Sequence, residues 1–135
     1  MNILVIDGQG GNIGRQLVKQ IKEEFPDQSV RAIGTNAIAT GNMLKGGADE
    51  AATGENAVVV GCRQADIVVG PMGIIVPDAL LGEVSPRMAQ AVAESGAKKI
   101  LIPLNRCDII VPGTLDRNTG ELLADAMKAI RDIIG

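Results

Sequence analysis

Short, wholly apolar runs alternate along this chain with segments whose apolar residues recur every three or four positions. Residues 3–6 (Ile-Leu-Val-Ile) form the first apolar run, and residues 67–69 (Ile-Val-Val) form a later one. Strands that are apolar on both faces are typical of a parallel sheet, because helices cover both of its sides. The alternation therefore predicts a three-layer α/β domain over residues 1–135.

The predicted sheet is mainly parallel and has five or six strands. Its strands are expected at residues 3–6, 30–33, 50–53, 67–69 and 100–104, with residues 109–111 as a sixth. Residues 54–64 leave helix and strand open, since three consecutive valines favour a strand and Thr53 ahead of Glu55 favours a helix start. We predict a helix there, because parallel strands need a crossover connection. Residues 74–84 are expected to be a loop or a short helix.

In a parallel sheet with right-handed crossovers, all strands end at one edge, and ligands bind where the strand order switches. We expect that switch beside the first strand, which makes the fold Rossmann-like. Small and polar residues follow several strands at this edge. The candidate binding residues are Asp7, Gly8, Gln9, Gly10, Gly11, Asn12 and Ile13 after the first strand, Gly34, Thr35 and Asn36 after the second, Gly70, Pro71 and Met72 after the fourth, and Asn105 after the fifth.

The first of these loops, residues 8–11, is called here the glycine-rich turn. Glycines let a backbone approach an anion closely, and the start of the following helix offers unpaired N–H groups and a positive dipole end. The spacing Gly8-x-Gly10-x-x-x-Gly14 is one residue longer than the G-x-G-x-x-G dinucleotide motif, and it lacks the Lys-Ser/Thr pair of a P-loop. The turn predicts a small phosphate-bearing ligand, with a turn kept tight only for packing as the alternative.

The predicted cofactor is NAD(P) or a purine nucleotide. The second strand ends in Gly34-Thr35-Asn36, without the acid that takes the ribose hydroxyls in NAD-binding proteins, which favours NADP, another nucleotide or a small phosphate over NAD. Asp7 has two interpretations, a ligand to a ribose hydroxyl or a metal-bound water, and a cap of the glycine-rich turn. We favour the cap.

Composition excludes several chemistries. The chain has no histidine, which rules out Ser-His and Cys-His nucleophiles and histidine metal sites, and no metal site is predicted. A single aromatic residue and a net charge of −3 argue against nucleic acid as a partner. Cys62 and Cys107 are interpreted as free thiols. No apolar run is long enough to cross a membrane, so a cytoplasmic protein is expected.

Two functions remain open, and the sequence names no catalytic residue for either. One is a nucleotide-binding protein, whose cofactor would carry any chemistry because histidine and tyrosine are absent. The alternative is a non-catalytic ligand-sensing or regulatory subunit that acts through a protein partner. The apolar face of the last helix is expected to be core, or the surface of a homodimer if it exceeds what the sheet can cover.

With these residues in hand, the chain resembles a family of small bacterial proteins classed as domain of unknown function 3842. The resemblance implies the fold and no assigned activity. More distantly, residues 8–14 look like the glycine turns of NAD(P)-binding Rossmann proteins and of tubulin-like GTPases, although the second glycine motif of those GTPases has no counterpart here. The stretches that carry the family resemblance are Ile-Asp-Gly-Gln-Gly-Gly (6–11), Gly-Thr-Asn-Ala-Ile-Ala-Thr (34–40), Thr-Gly-Glu-Asn-Ala (53–57), Gly-Pro-Met-Gly-Ile (70–74) and Ile-Pro-Leu-Asn-Arg-Cys (102–107).

Overall fold

Strands and helices alternate through the computed structural model, which describes residues 1–104 and 108–135. A short 3-10 helix, Met72–Ile75, follows the fourth strand. The other elements, in chain order, are β1 (Asn2–Asp7), α1 (Asn12–Glu24), β2 (Ser29–Gly34), α2 (Ala37–Lys45), β3 (Glu50–Thr53), α3 (Glu55–Gln64), β4 (Ile67–Pro71), α4 (Pro86–Glu94), β5 (Lys98–Ile102) and α5 (Thr119–Ile134).

The five strands form one sheet in the order β3-β2-β1-β4-β5, and every neighbouring pair is parallel. The chain builds outward from β1 through β2 to β3, then crosses back to place β4 on the other side of β1. The order therefore switches beside β1, as predicted. The predicted α/β fold is confirmed, and the glycine-rich turn follows the central strand at the switch point.

Helices cover both faces of the sheet, because the side chains of β1 alternate between them. Ile3 and Val5 join a core cluster with α1, α2 and α5, whereas Leu4 and Ile6 join a second cluster with α3 and α4. All four side chains are at most 2% exposed. Burial on both faces explains why the strand sequence is wholly apolar instead of alternating.

Two segments that the sequence left unsettled are now assigned. Residues 55–64 form α3, which confirms the predicted helix. The predicted sixth strand at residues 109–111 is wrong: Ile110 is exposed, and the carbonyl of Val111 accepts hydrogen bonds from the N–H and hydroxyl of Thr114. Those bonds turn the chain, and Pro112, which has no N–H, follows at once.

The last helix packs its apolar face into the core. Leu123, Met127 and Ile130 are all buried in the cluster that includes α1. Arg131 donates two hydrogen bonds to the carboxylate of Glu24, which ties α5 to the end of α1. The apolar face of α5 therefore belongs to the core. Among the described helices, none is both long and apolar enough to cross a membrane.

Candidate functional site

The glycine-rich turn is compact because its own backbone closes it. The N–H of Gly11 donates to the carbonyl of Gly8 at 3.0 Å. Gly11 has a φ of +72°, and a Cβ there would lie 2.7 Å from the Cα of Ala39. A side chain at this position would therefore be strained and would also push α2 away.

Asp7 caps this turn from the end of β1. Its carboxylate is buried, and its two oxygens accept hydrogen bonds from the N–H groups of Gly8 and Gly14, each at 2.8 Å. Gly14 lies in the first turn of α1, so the carboxylate satisfies one of the helix's unpaired donors and complements the positive end of its dipole. The capping interpretation of Asp7 is therefore the one that the contacts support.

Gly14 also sets how closely α1 lies on the sheet. A Cβ added to Gly14 would lie 2.5 Å from the sulfur of Met43 and 2.8 Å from the Cβ of Asp7. The missing side chain is what allows α1, α2 and β1 to meet at this point. Gly14 is thus a packing residue, comparable in role to the last glycine of dinucleotide-binding turns.

Two asparagines fasten the turn to the β2 side of the site. Asn36 donates to the carbonyl of Gln9 at 2.9 Å, and Asn42 donates to the carbonyl of Gly10. The Asn36 side-chain oxygen also accepts from the N–H of Ala39 and so caps α2. The turn and α2 are therefore joined along this side by both asparagines.

Three backbone donors of the turn and helix start remain available. Within residues 1–104 and 108–135, the N–H groups of Gly10, Asn12 and Ile13 donate no hydrogen bond. Gly10 is exposed, and a Cβ there would meet only the Asn12 side chain, at 3.8 Å. The N-terminal end of α1 thus offers N–H groups beside the exposed Gly10, the arrangement that binds phosphates in other α/β proteins.

Glu83, which the sequence did not indicate as a site residue, accepts hydrogen bonds from donors next to these three N–H groups. One oxygen of Glu83 accepts hydrogen bonds from the Gln9 N–H at 2.8 Å, the Thr35 hydroxyl at 2.7 Å and the Asn36 amide at 2.7 Å. Burial raises the pKa of Glu83, but these three hydrogen bonds outweigh burial and hold that pKa below its ordinary value. The acid absent from the end of β2 is therefore supplied from beyond β4. No local motif signals it, because Glu83 lies 48 positions from Thr35.

Glu83 belongs to residues 78–84, a loop called here the strap. The Asp78 N–H donates to the Val84 carbonyl at 2.7 Å, which closes the strap on itself. Leu80, 7% exposed, lies over the glycine-rich turn, and a Cβ at Gly8 would be 2.8 Å from its Cδ1 atom. Leu81, next in the chain, is 95% exposed. The strap therefore covers the turn with one leucine and one carboxylate.

Beneath the strap lies a cleft of about 10 Å³, roughly the space of one water molecule. It opens on the β4 side of the turn, opposite to Asn36 and Asn42. Its walls are Asp7, Gly8, Gln9, Ile13, Pro71, Gly73, Leu80 and Leu104. The cleft extends from the N-terminal end of α1 toward the ends of β4 and β5, because Ile13, Pro71 and Leu104 are among its walls.

The remaining predicted residues are placed as follows. Gly34 and Gly70 lie inside strands, and added Cβ atoms would collide with Thr40 and with the backbone of Ile6, so both have a packing reason to be glycine. Met72 begins the 3-10 helix and does not line the cleft. Asn105 lies outside the described residues, as does Cys107.

The described residues offer little for direct chemistry. Among residues 1–104 and 108–135, no group of three or more Cys, Asp or Glu side chains is placed to hold a metal ion. Cys62 is buried on α3, and burial raises the pKa of its thiol to about 11. The titratable side chains that contact the glycine-rich turn, Asp7 and Glu83, are both engaged in hydrogen bonds to it.

Fold and site together define an α/β protein with a parallel sheet whose glycine-rich turn lies at the switch point. Residues 2–135 match the family model described as Domain of unknown function (DUF3842), and the chain belongs to that family. No curated protein matches the sequence. Among solved structures, the chain is similar to a dodecameric FMN-dependent UbiX-like decarboxylase from Escherichia coli O157:H7. The TM-score is 0.51 and the identity 18%, over 98% of this chain and 75% of that one.

Proposed function

We propose that this protein binds a phosphate monoester of the mononucleotide class at the carboxyl edge of its sheet. The phosphate is held by the N–H groups of Gly10, Asn12 and Ile13. The observation that carries the proposal is that these three donors have no acceptor in the part of the chain that the structure describes, and that Gly10, which is exposed, lies at the switch point. Backbone donors and the α1 dipole both favour an anion there.

The closed β2 side favours one nucleotide over two. A dinucleotide extends to both sides of the switch point. Here Asn36 and Asn42 join the turn to α2, and Ala39 abuts Gly11, so the β2 side of the turn is occupied by the protein's own contacts. The cleft on the β4 side, with Ile13 and Leu104 in its walls, is the side left for the rest of a ligand, which would enter it only with Leu80 displaced. A mononucleotide therefore fits better than NAD(P).

The alternative is a non-catalytic subunit that senses such a ligand. This alternative is favoured because Asp7 and Glu83 both accept hydrogen bonds from the protein itself. Neither carboxylate is then placed to act as a general acid or base on a ligand. Histidine and tyrosine are absent from the chain. An enzyme built on this site would depend on its ligand or on a partner for the reacting groups.

The test is a thermal-shift screen of the full chain against FMN, AMP, GMP, NAD, NADP and inorganic phosphate. FMN enters the panel because the similar decarboxylase depends on it. A ligand present at about one hundred times its dissociation constant adds about 2.7 kcal/mol to the free energy of unfolding. We expect a mononucleotide to raise Tm more than NAD or NADP does, at two protein concentrations alike.

The control pair is Gly10→Val and Gly96→Val. Neither glycine has a positive φ, and added Cβ atoms would meet at most one distant side chain, so both variants should fold. Gly10→Val should abolish the shift by placing two methyl groups where the phosphate would lie, and Gly96→Val should retain it. A shift that survives Gly10→Val, or no shift with any phosphate-bearing compound, would contradict the proposal.

A further inference from the structure

We infer that Glu83 occupies an anion subsite of the ligand-binding region and that the ligand's phosphate must compete with its carboxylate for the glycine-rich turn. The inference rests on the proposed function and concerns how access to that site is controlled. Glu83 is then a built-in competitor, and the strap that carries it is the cover of the site.

The hydrogen bonds of Glu83 show that the region binds anions. Three donors from two different connections converge on one oxygen of the carboxylate: the Gln9 N–H, the Thr35 hydroxyl and the Asn36 amide, all within 2.7–2.8 Å. Three donors around one oxygen suit a phosphate oxygen as well as a carboxylate. When Glu83 leaves, these donors lose their acceptor and become available beside Gly10.

The position of Leu80 makes the competition unavoidable. Leu80 covers Gly8 and forms one wall of the cleft, which with the strap closed has only about 10 Å³ of space. A phosphate that reaches Ile13 and continues into the cleft must displace Leu80. Leu80 and Glu83 are joined by a hydrogen bond from the Glu83 N–H to the Leu80 carbonyl, so displacement of one disturbs the other.

The strap is anchored in the core at its end by Val84, which is 1% exposed, and its remaining residues make few backbone contacts elsewhere. Its backbone hydrogen bonds are internal or reach only to Val76: Asp78 to Val84, Val84 to Ala79, Gly82 to Asp78 and Glu83 to Leu80. Leu80 and Leu81 have φ values of +56° and +58°, which are uncommon for leucine and persist only where the surroundings hold them. The contacts that hold the strap to the glycine-rich turn are therefore those of Glu83 and Leu80.

The experiment measures binding of inorganic phosphate and of FMN to the folded full chain by titration of ¹⁵N-labelled protein. Glu83→Gln removes the charge, and Glu83→Asp keeps the charge but shortens its reach. Glu94→Gln, on the exposed end of α4, removes one charge elsewhere and controls for net charge. Charge-assisted hydrogen bonds are about twice as strong as neutral ones. We therefore expect both Glu83 variants to bind phosphate at least about tenfold more tightly than wild type, and Glu94→Gln to match wild type.

The Gln9 amide gives an independent readout, because its resonance should move when phosphate displaces Glu83 in the wild-type protein. Equal phosphate affinity in wild type and Glu83→Gln would overturn the inference while leaving the proposed function intact, provided that binding still requires Gly10. Weaker binding by Glu83→Gln would also overturn it, since Glu83 would then be a contact of the ligand. Absence of binding by every variant would end the proposed function and this inference together.

Discussion

The backbone N–H of Gln9 donates to the carboxylate of Glu83 at 2.8 Å, across 74 positions of sequence. Gln9 follows β1, whereas Glu83 follows β4, so the bond spans the switch point of the sheet. The carboxylate of Asp7 accepts from the N–H of Gly8, which precedes Gln9, and from the N–H of Gly14 in α1. The protein thus satisfies part of its glycine-rich turn with its own carboxylates, and the N–H groups of Gly10, Asn12 and Ile13 are the donors that the proposed ligand would use.

Glu83→Gln should make the protein less stable at neutral pH but not in acid. The pKa of Glu83 lies below its ordinary value of 4.5 in the folded protein, so its contribution to stability is fully present above about pH 4.5. The contribution is lost as the pH falls through the folded pKa. We expect a loss of about 1 kcal/mol in the free energy of unfolding at pH 7, measured by urea denaturation.

The free energies of unfolding of wild type and Glu83→Gln should be subtracted at each pH. Asp49 also has a lowered pKa, but it affects both proteins equally and cancels in the difference. The difference should shrink as the pH falls from about 4.5 through the folded pKa of Glu83. A difference that stays constant over that range would mean that the Glu83 charge does not act through these hydrogen bonds.

Replacement by alanine should lower the free energy of unfolding at Gly11 and leave it almost unchanged at Gly10. Gly11→Ala places a Cβ against the backbone of Ala39 at a φ of +72°, and we expect it to lower the free energy of unfolding by about 2–4 kcal/mol. Gly10→Ala has free space and should change stability by less than about 0.5 kcal/mol. Denaturant titration of the two variants side by side checks this, and equal losses would show that the turn is differently packed.

Asp7→Asn should destabilise the protein although the two side chains have nearly the same size. Both carboxylate oxygens of Asp7 accept from backbone N–H groups, whereas an asparagine amide offers only one acceptor and turns its NH₂ group toward the other donor. The resulting buried unsatisfied N–H should cost about 2–3 kcal/mol. Chemical denaturation at pH 7 measures the loss, and a variant as stable as wild type would contradict the capping role.

Cys62 should be unreactive in the folded protein. Burial raises its pKa to about 11, so only about one thiol in a thousand is ionised at pH 8. The experiment uses a Cys107→Ser background so that a single thiol is followed. Ellman's reagent should label Cys62 only after addition of denaturant, and rapid labelling of the native protein would show that α3 opens readily.

Much of the fold follows from local sequence. The apolar run predicted at residues 3–6 lies within β1, because burial on both faces of a sheet leaves its mark on a few consecutive residues. Residues 109–111 misled because an apolar triplet resembles a strand wherever it falls. The hydrogen bonds from Thr114 to the Val111 carbonyl show that the chain turns there instead.

The site was predictable only in part for the same reason. The glycine-rich turn and Asn36 follow their strands directly, and the topology brings them together. The sequence contained no sign that Glu83 would reach Thr35, because that contact depends on the conformation of the strap, with its run of left-handed residues at 80–82. Which glycine serves packing, as at Gly14, is likewise decided by a neighbour distant in sequence, Met43.

The strand order has a consequence for how the site comes into being. The glycine-rich turn and Asn36 belong to the half of the sheet built from the first fifty residues, whereas Glu83 belongs to the half built later. Contacts that close such long loops form late in folding, because the chain must first lose the entropy of bringing distant segments together. A nascent chain that has made only β1, β2 and β3 would therefore present the turn with no internal carboxylate over Gln9. The contact between Gln9 and Glu83 forms only once the chain beyond β4 has been made.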